Sequence, residues 1–138
     1  MTTSSRPRVN HLGRDVSSRI PAWDAVPGLV ALGARDEAIW ALAAPYLTVR
    51  DNDAHSLFSY GLAAALLSQL PEANEAIVLP AILLHDTGWS TVDEREALEA
   101  IAPGGGVPEL VLKHENEGAR IAREILHTVG LPAGDIER

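Results

Sequence analysis

The feature that most constrains this chain is an uninterrupted apolar stretch that ends in a histidine–aspartate pair. Residues 77–84 (IVLPAILL) carry no charge, and His85 and Asp86 follow directly. Gly88 comes two residues later and predicts that the helix stops there. A segment this apolar belongs in the middle of a core, so the two polar residues at its end are expected to be partly buried. A buried imidazole and carboxylate need partners, which a hydrogen-bonded helix end or a shared cation would provide.

Length and composition indicate a single globular domain without a membrane span. The chain has 138 residues, no cysteine and no long apolar run. Its N-terminus lacks the apolar core of a secretory signal, so we expect a cytoplasmic protein. Without thiolates, any metal site must use nitrogen and oxygen ligands. The net charge of −8 argues against a nucleic-acid scaffold but permits a small phosphorylated substrate at a local pocket.

Helical periodicity, with no alternating strand pattern, predicts an all-α fold of four or five helices joined by short loops. Residues 1–20 are expected to form a polar arm and residues 21–138 one helical domain. Asp36, Asn52 or Asp53, and Thr91 are candidate helix caps. The predicted helices cover residues 35–47, 52–70, 73–86, 92–102 and 107–129, followed by the opening turn of another helix.

Three of these helices each bring one histidine to a position expected to face the core: His55, His85 and His114. Each histidine alone is more often a structural residue than a ligand. Together with Asp86 they form the nitrogen and oxygen set that divalent transition metals prefer, and helical bundles commonly build such sites from facing helices. Adjacent residues on a helix diverge by about 100°. His85 and Asp86 would nevertheless both reach a site that lies beside the helix end, most easily if the carboxylate lies between two metals.

This order of residues resembles the HD-domain superfamily of metal-dependent phosphohydrolases. The resemblance covers about residues 50–138, where RDNDAHSLFSYGLAAALL, VLPAILLHDTGW and HENEGARIAREIL look like the three metal-bearing helices of that family. It implies an HD-like helical bundle with His55, His85 and Asp86 as ligands of a divalent metal (Mn, Fe, Zn, Co or Ni). His114 stands where dinuclear members hold a second ion. The implied activity is hydrolysis of a nucleotide or another small phosphate ester, with His85 and Asp86 at the catalytic centre.

The sequence departs from the family pattern in two places. Members close the site with an aspartate from a later helix, whereas Asp135 comes too early for that role. We therefore expect a bundle that lacks its closing helices, exposes apolar faces and forms a homo-oligomer. Many phosphodiesterases of the family have a lysine where Trp89 stands. Binding of a phosphate would then fall to Arg50, Lys113 or Arg120, and Trp89 itself is a further weak candidate.

Two alternatives to a phosphohydrolase stay open at this point. The same ligand order serves dinuclear iron oxygenases of the superfamily, and the missing lysine makes that activity less remote. A degenerate module with a binding or regulatory role would explain the missing aspartate. Glu115 and Glu117 are candidates for proton transfer in the hydrolytic reaction.

Overall fold

The computed structural model describes residues 31–104 and 106–138, and every regular element in these ranges is a helix. The all-α prediction is confirmed for this part of the chain, and the HD-like arrangement stays a prediction. The polar arm expected at residues 1–20 lies outside the described residues. No described helix is long and apolar enough to cross a membrane. The α-helices are α1 (Ala34–Ala43), α2 (Asn52–Leu67), α3 (Glu75–Leu84), α4 (Glu94–Ala100), α5 (Pro108–Val129) and α6 (Ala133–Ile136), with 3-10 helices at Ala44–Tyr46, Val49–Asp51 and Thr87–Thr91.

The apolar stretch at the C-terminal half of α3 lies in the centre of the molecule, as its composition predicts. Leu79, Leu83 and Leu84 are almost completely buried and contact side chains from α1, α2 and α5. Asn74 caps α3 by accepting a hydrogen bond from the backbone N–H of Ala76 at 3.0 Å. A smaller cluster around Trp89 and Val92 packs against α4 and the start of α5. The end of α3 therefore lies between two apolar clusters.

A buried polar pair joins α1 to α2. Asp36, expected to cap α1, is instead 3% exposed inside that helix, and Gly33 stands at the N-cap position. The hydroxyl of Tyr60 donates to Asp36 Oδ2 at 2.7 Å, and the guanidinium of Arg35 donates to Oδ1 at 2.8 Å. Burial, and then the hydrogen bond to Asp36, raises the pKa of Tyr60. The cap prediction was wrong because a tertiary partner on α2 binds the carboxylate.

The expected caps of α2 and α4 are also wrong. Asn52 and Asp53 lie inside the first turn of α2 and are buried, and the residue before them adopts a left-handed conformation at the N-cap position. In α4 the cap is Asp93, whose Oδ1 accepts from the N–H of Arg95 at 2.9 Å. Thr91 instead donates its hydroxyl to a backbone carbonyl of the preceding turn.

One face of α2 is apolar but exposed. Phe58, Leu62 and Leu66 follow one another at helical spacing and are 59%, 56% and 59% exposed. The opposite face, which contains Tyr60 and Ala63, is the buried one. His55 lies on the exposed side, so the expectation that it faces the core is wrong. Self-association through such a face stays a prediction, which sedimentation over a range of concentrations would test.

Candidate metal centre

The chain changes direction between His85 and Asp86, and this change brings both side chains to one place. α3 ends at Leu84, and Asp86 has φ −104° and ψ 5°, which is outside the regular helix. The buried hydroxyl of Thr87 donates to the carbonyl of Leu84 at 2.7 Å and holds this turn. On a regular helix the side chains of His85 and Asp86 would diverge by about 100°. Because the helix ends before Asp86, both side chains can face one site, as expected from the sequence.

His55, His85 and Asp86 bring three ligand atoms together. His55 Nε2 lies 3.3 Å from His85 Nε2 and 3.4 Å from Asp86 Oδ2. His85 Nε2 lies 3.1 Å from the same carboxylate oxygen. In the described part of the chain, these residues form a group that could hold a metal ion. We call them the ligand triangle.

The dimensions of the ligand triangle match a first-row divalent ion. Two donors that are each about 2.1 Å from one ion lie about 3.0 Å apart at a right angle and about 3.4 Å apart at the tetrahedral angle. The three measured separations, 3.1, 3.3 and 3.4 Å, fall within this interval. Two imidazoles and one carboxylate on a single face also leave other coordination positions open. The spacing of these three donors is therefore the spacing expected around one bound ion.

The backbone orients His85. Its Nδ1 donates to the carbonyl oxygen of Ile82 at 2.6 Å, which leaves Nε2 facing the other ligands. Metal-binding histidines usually have such an outer partner, because it fixes the ring and its tautomer. The pKa of His85 is raised, mainly by its hydrogen bond to Asp86, although burial acts in the opposite direction. Burial alone would raise the pKa of Asp86, but the histidines around it lower that pKa overall. Without a metal, an imidazolium–carboxylate pair is therefore favoured.

His114 reaches the other oxygen of the carboxylate. Its Nε2 lies 3.8 Å from Asp86 Oδ1, whereas His55 and His85 lie near Asp86 Oδ2, so the carboxylate stands between His114 and the other two histidines. Trp89 stacks on the His114 ring with centroids 4.1 Å apart and planes 11° from parallel. The buried Nδ1 of His114 has no hydrogen-bond partner among the described residues. Burial, partly offset by Asp86, lowers the pKa of His114 and keeps the ring neutral near pH 7.

Two glycines allow α5 to approach the turn after Asp86. A methyl group added to Gly88 would lie 1.9 Å from the carbonyl oxygen of His114 and 2.7 Å from the amide nitrogen of Gly118. Only a glycine fits there, and the contact sets how near His114 comes to Asp86. In the sequence, Gly88 predicts only a helix stop, and this contact with α5 was not predicted. Gly118 was a usable signal, because a glycine in a helix interior costs about 1 kcal/mol and often marks a close approach.

The four candidates for substrate binding occupy different environments. Trp89 is buried against His114. Lys113 donates to the carbonyl of Thr91 at 3.0 Å, and Arg120 pairs with two glutamates of its own helix. Arg50 is exposed in a left-handed conformation, with φ 52°, just before α2. The substrate-binding roles of these residues stay predictions.

Three further carboxylates near the site in sequence or space, Glu115, Glu117 and Asp135, do not belong to the ligand triangle. Glu117 is bound to Arg120. Glu115 and Asp135 line a cavity next to His85 and His114 but are not part of the group that could hold a metal. Asp135 thus lies nearer the site than its place in the sequence indicates, although it supplies no ligand to the triangle.

No family model, curated protein or solved structure matches this chain. The described part of the chain is an all-helical domain with a histidine–aspartate group that could hold a metal ion.

Proposed function

We propose that this protein is a metal-dependent phosphohydrolase of the HD type that acts on a small phosphate ester. The observation that carries the proposal is the ligand triangle, whose three donors lie 3.1–3.4 Å apart. The order of its residues along the chain is the order of the HD resemblance. His114 lies beside the same carboxylate, on the helix that resembles the third metal-bearing helix of the family.

Each side chain of the site has a chemical role under this proposal. A bound divalent cation would polarise a phosphoryl oxygen and lower the pKa of a coordinated water. His55, His85 and Asp86 would hold the cation, and the Ile82 carbonyl would keep His85 turned towards it. In hydrolysis the oxygen of water bonds to phosphorus, the P–O ester bond breaks, and a proton of that water ends on the departing alcohol. His114, whose pKa is lowered by burial, would accept and return that proton.

A second candidate function is oxygen chemistry at iron. Two histidines and one carboxylate on one face, with open positions, are the ligand set of non-haem iron oxygenases. The contacts of Lys113 and Arg120 lie elsewhere, so among the described residues neither is aimed at the ligand triangle to bind a phosphate. If the protein binds no transition metal at all, a non-catalytic binding or regulatory module becomes the better proposal.

Elemental analysis of the purified protein tests the metal site directly. The wild-type protein is expected to retain at least about 0.5 equivalents of a transition metal after dialysis, by comparison with other tightly held sites. The double variant His85→Ala, Asp86→Ala is expected to lose it. His127→Ala is the matched control, because this exposed histidine of α5 is not in the group. Equal metal content in the double variant and the control would end the proposal.

Turnover separates the two enzyme classes. A phosphohydrolase is expected to release phosphate from p-nitrophenyl phosphate without oxygen, and the release should stop in the double variant. Oxygen uptake by the iron-loaded protein, with no phosphate release, would favour the oxygenase instead.

A further inference from the structure

A cavity of about 330 Å³ lies between α3 and α5, beside the ligand triangle. His85 and His114 form part of its wall, so the cavity and the candidate metal centre share two side chains. The volume is within the range of about 300–1,000 Å³ that is usual for small-molecule sites. The space next to the metal centre is therefore large enough for a substantial part of a substrate.

Small side chains leave open space between the two helices along this cavity. His114, Gly118, Ala122 and Leu126 line it from α5 at intervals of four residues, so they form one stripe of that helix. The stripe spans about 18 Å, at 1.5 Å per residue. Ala81 is among the residues that line the facing wall on α3. The cavity thus extends from the metal centre along α5 towards α6.

The chemistry of the wall selects against a nucleotide base. Its polar side chains are the two histidines and Glu115 beside the centre, and Asp135 and Arg138 from the segment around α6. The residues between these two groups carry aliphatic side chains or none. A base packed against this aliphatic part of the wall would find no hydrogen-bond partner there, at a cost of about 1–3 kcal/mol for each polar group buried unsatisfied. A hydrocarbon group has no such cost and gains from burial.

We infer that this cavity binds an apolar group of the substrate, so the substrate is a phosphate ester of an aliphatic or aromatic alcohol rather than a nucleotide. This inference rests on the proposed function, since the metal would hold the phosphate end. The shared His85 and His114 place the apolar group directly next to the reacting phosphate.

The affinity of n-alkylphosphonates of increasing length tests the inference. These compounds carry a metal-binding head and a chain that cannot be hydrolysed from it. Calorimetry on the metal-loaded protein is expected to show affinity rising about fourfold for each added CH₂, from methyl to hexyl. Binding of methylphosphonate with no gain along the series would overturn the inference and leave the proposed metal site intact.

Variants that fill the cavity make the test specific. Ala122→Phe and Ala81→Phe are expected to abolish the dependence on chain length and to leave metal content and methylphosphonate affinity unchanged. Ala81 is exposed, so its variant should fold even if Ala122→Phe does not. Ala65→Phe, at an exposed alanine of α2 that does not line the cavity, is the matched control and should retain the full dependence. An unchanged series in both cavity variants would show that the chains bind elsewhere.

A measurement without metal keeps the inference testable if the metal site fails. Millimolar 1-hexanol is expected to shift the backbone amide NMR signals of Gly118 and Ala122 in the metal-free protein. The signals of Ser68 and Gln69, which do not line the cavity, should stay in place. Absence of a shift at Gly118 and Ala122 would overturn the inference independently of any metal.

Discussion

Adding one methyl group at position 88 tests whether the contact between the Thr87–Thr91 helix and α5 positions His114. In Gly88→Ala the new carbon would lie 1.9 Å from the carbonyl oxygen of His114, and real contacts of this kind are essentially never shorter than 3.0 Å. That oxygen must therefore recede by about 1.1 Å, and it belongs to the backbone of α5, which cannot rotate away as a side chain would. The separation of 3.8 Å between His114 Nε2 and Asp86 Oδ1 would increase with it.

Overpacking of this kind costs about 1–3 kcal/mol in well-packed interiors, and the upper half of that range applies here because both neighbours are backbone. Urea denaturation of the metal-free protein is expected to show this loss in the free energy of unfolding. The matched control is Gly134→Ala in α6, where an added methyl group meets nothing within 4 Å. That change should be neutral or slightly stabilising, since alanine favours a helix over glycine by up to about 1 kcal/mol. A cost below about 0.5 kcal/mol for Gly88→Ala would refute the reasoning.

Three further predictions concern the Tyr60–Asp36 pair and the His85–Asp86 pair. Tyr60→Phe removes the hydroxyl that donates to Asp36 and should lower the free energy of unfolding, measured by urea denaturation, by about 1.5–3 kcal/mol. The control Tyr46→Phe should change it little. Equal losses in the two variants would contradict a stabilising role for the Tyr60–Asp36 hydrogen bond. The pKa of His85 is raised and that of Asp86 lowered, so their mutual stabilisation should be complete between pH 3.8 and 6.5, their ordinary values. This stabilisation should decline as pH rises through the pKa of His85 in the folded protein, or as pH falls through that of Asp86. His85→Ala should flatten the dependence of the free energy of unfolding on pH. Metal binding needs neutral His85, so metal affinity measured by calorimetry should instead fall as pH drops through that pKa, by up to tenfold per pH unit.

Local patterns predicted the helices and the neighbourhood of the site. The apolar stretch of α3 lies in the core, and α5 begins and ends where Pro108 and Gly130 indicate. The resemblance to HD domains implied His55, His85 and Asp86 as ligands, and these are the three residues of the ligand triangle. The helix bounds depend on residues close in sequence, whereas His55 and His85 are 30 residues apart and are brought together only by helix packing.

The exposure of side chains and their hydrogen-bond partners depend on residues that are distant in sequence. Helical spacing placed His55, Leu62 and Leu66 on one face, but it could not say that this face is exposed. That depends on which side of α2 packs against its neighbours. The cap predicted at Asp36 failed for the same reason, because Tyr60 is 24 residues away.

The sequence by itself determined an all-helical fold in the described residues and a histidine–aspartate pair at the end of its most apolar helix. Only the tertiary structure decided that three ligand atoms lie 3.1–3.4 Å apart and that Trp89 stacks on His114. It also decided that a cavity lies beside them. The reason is physical: helix periodicity is set within a few residues, whereas distances between side chains on different helices are set by how closely the helices pack.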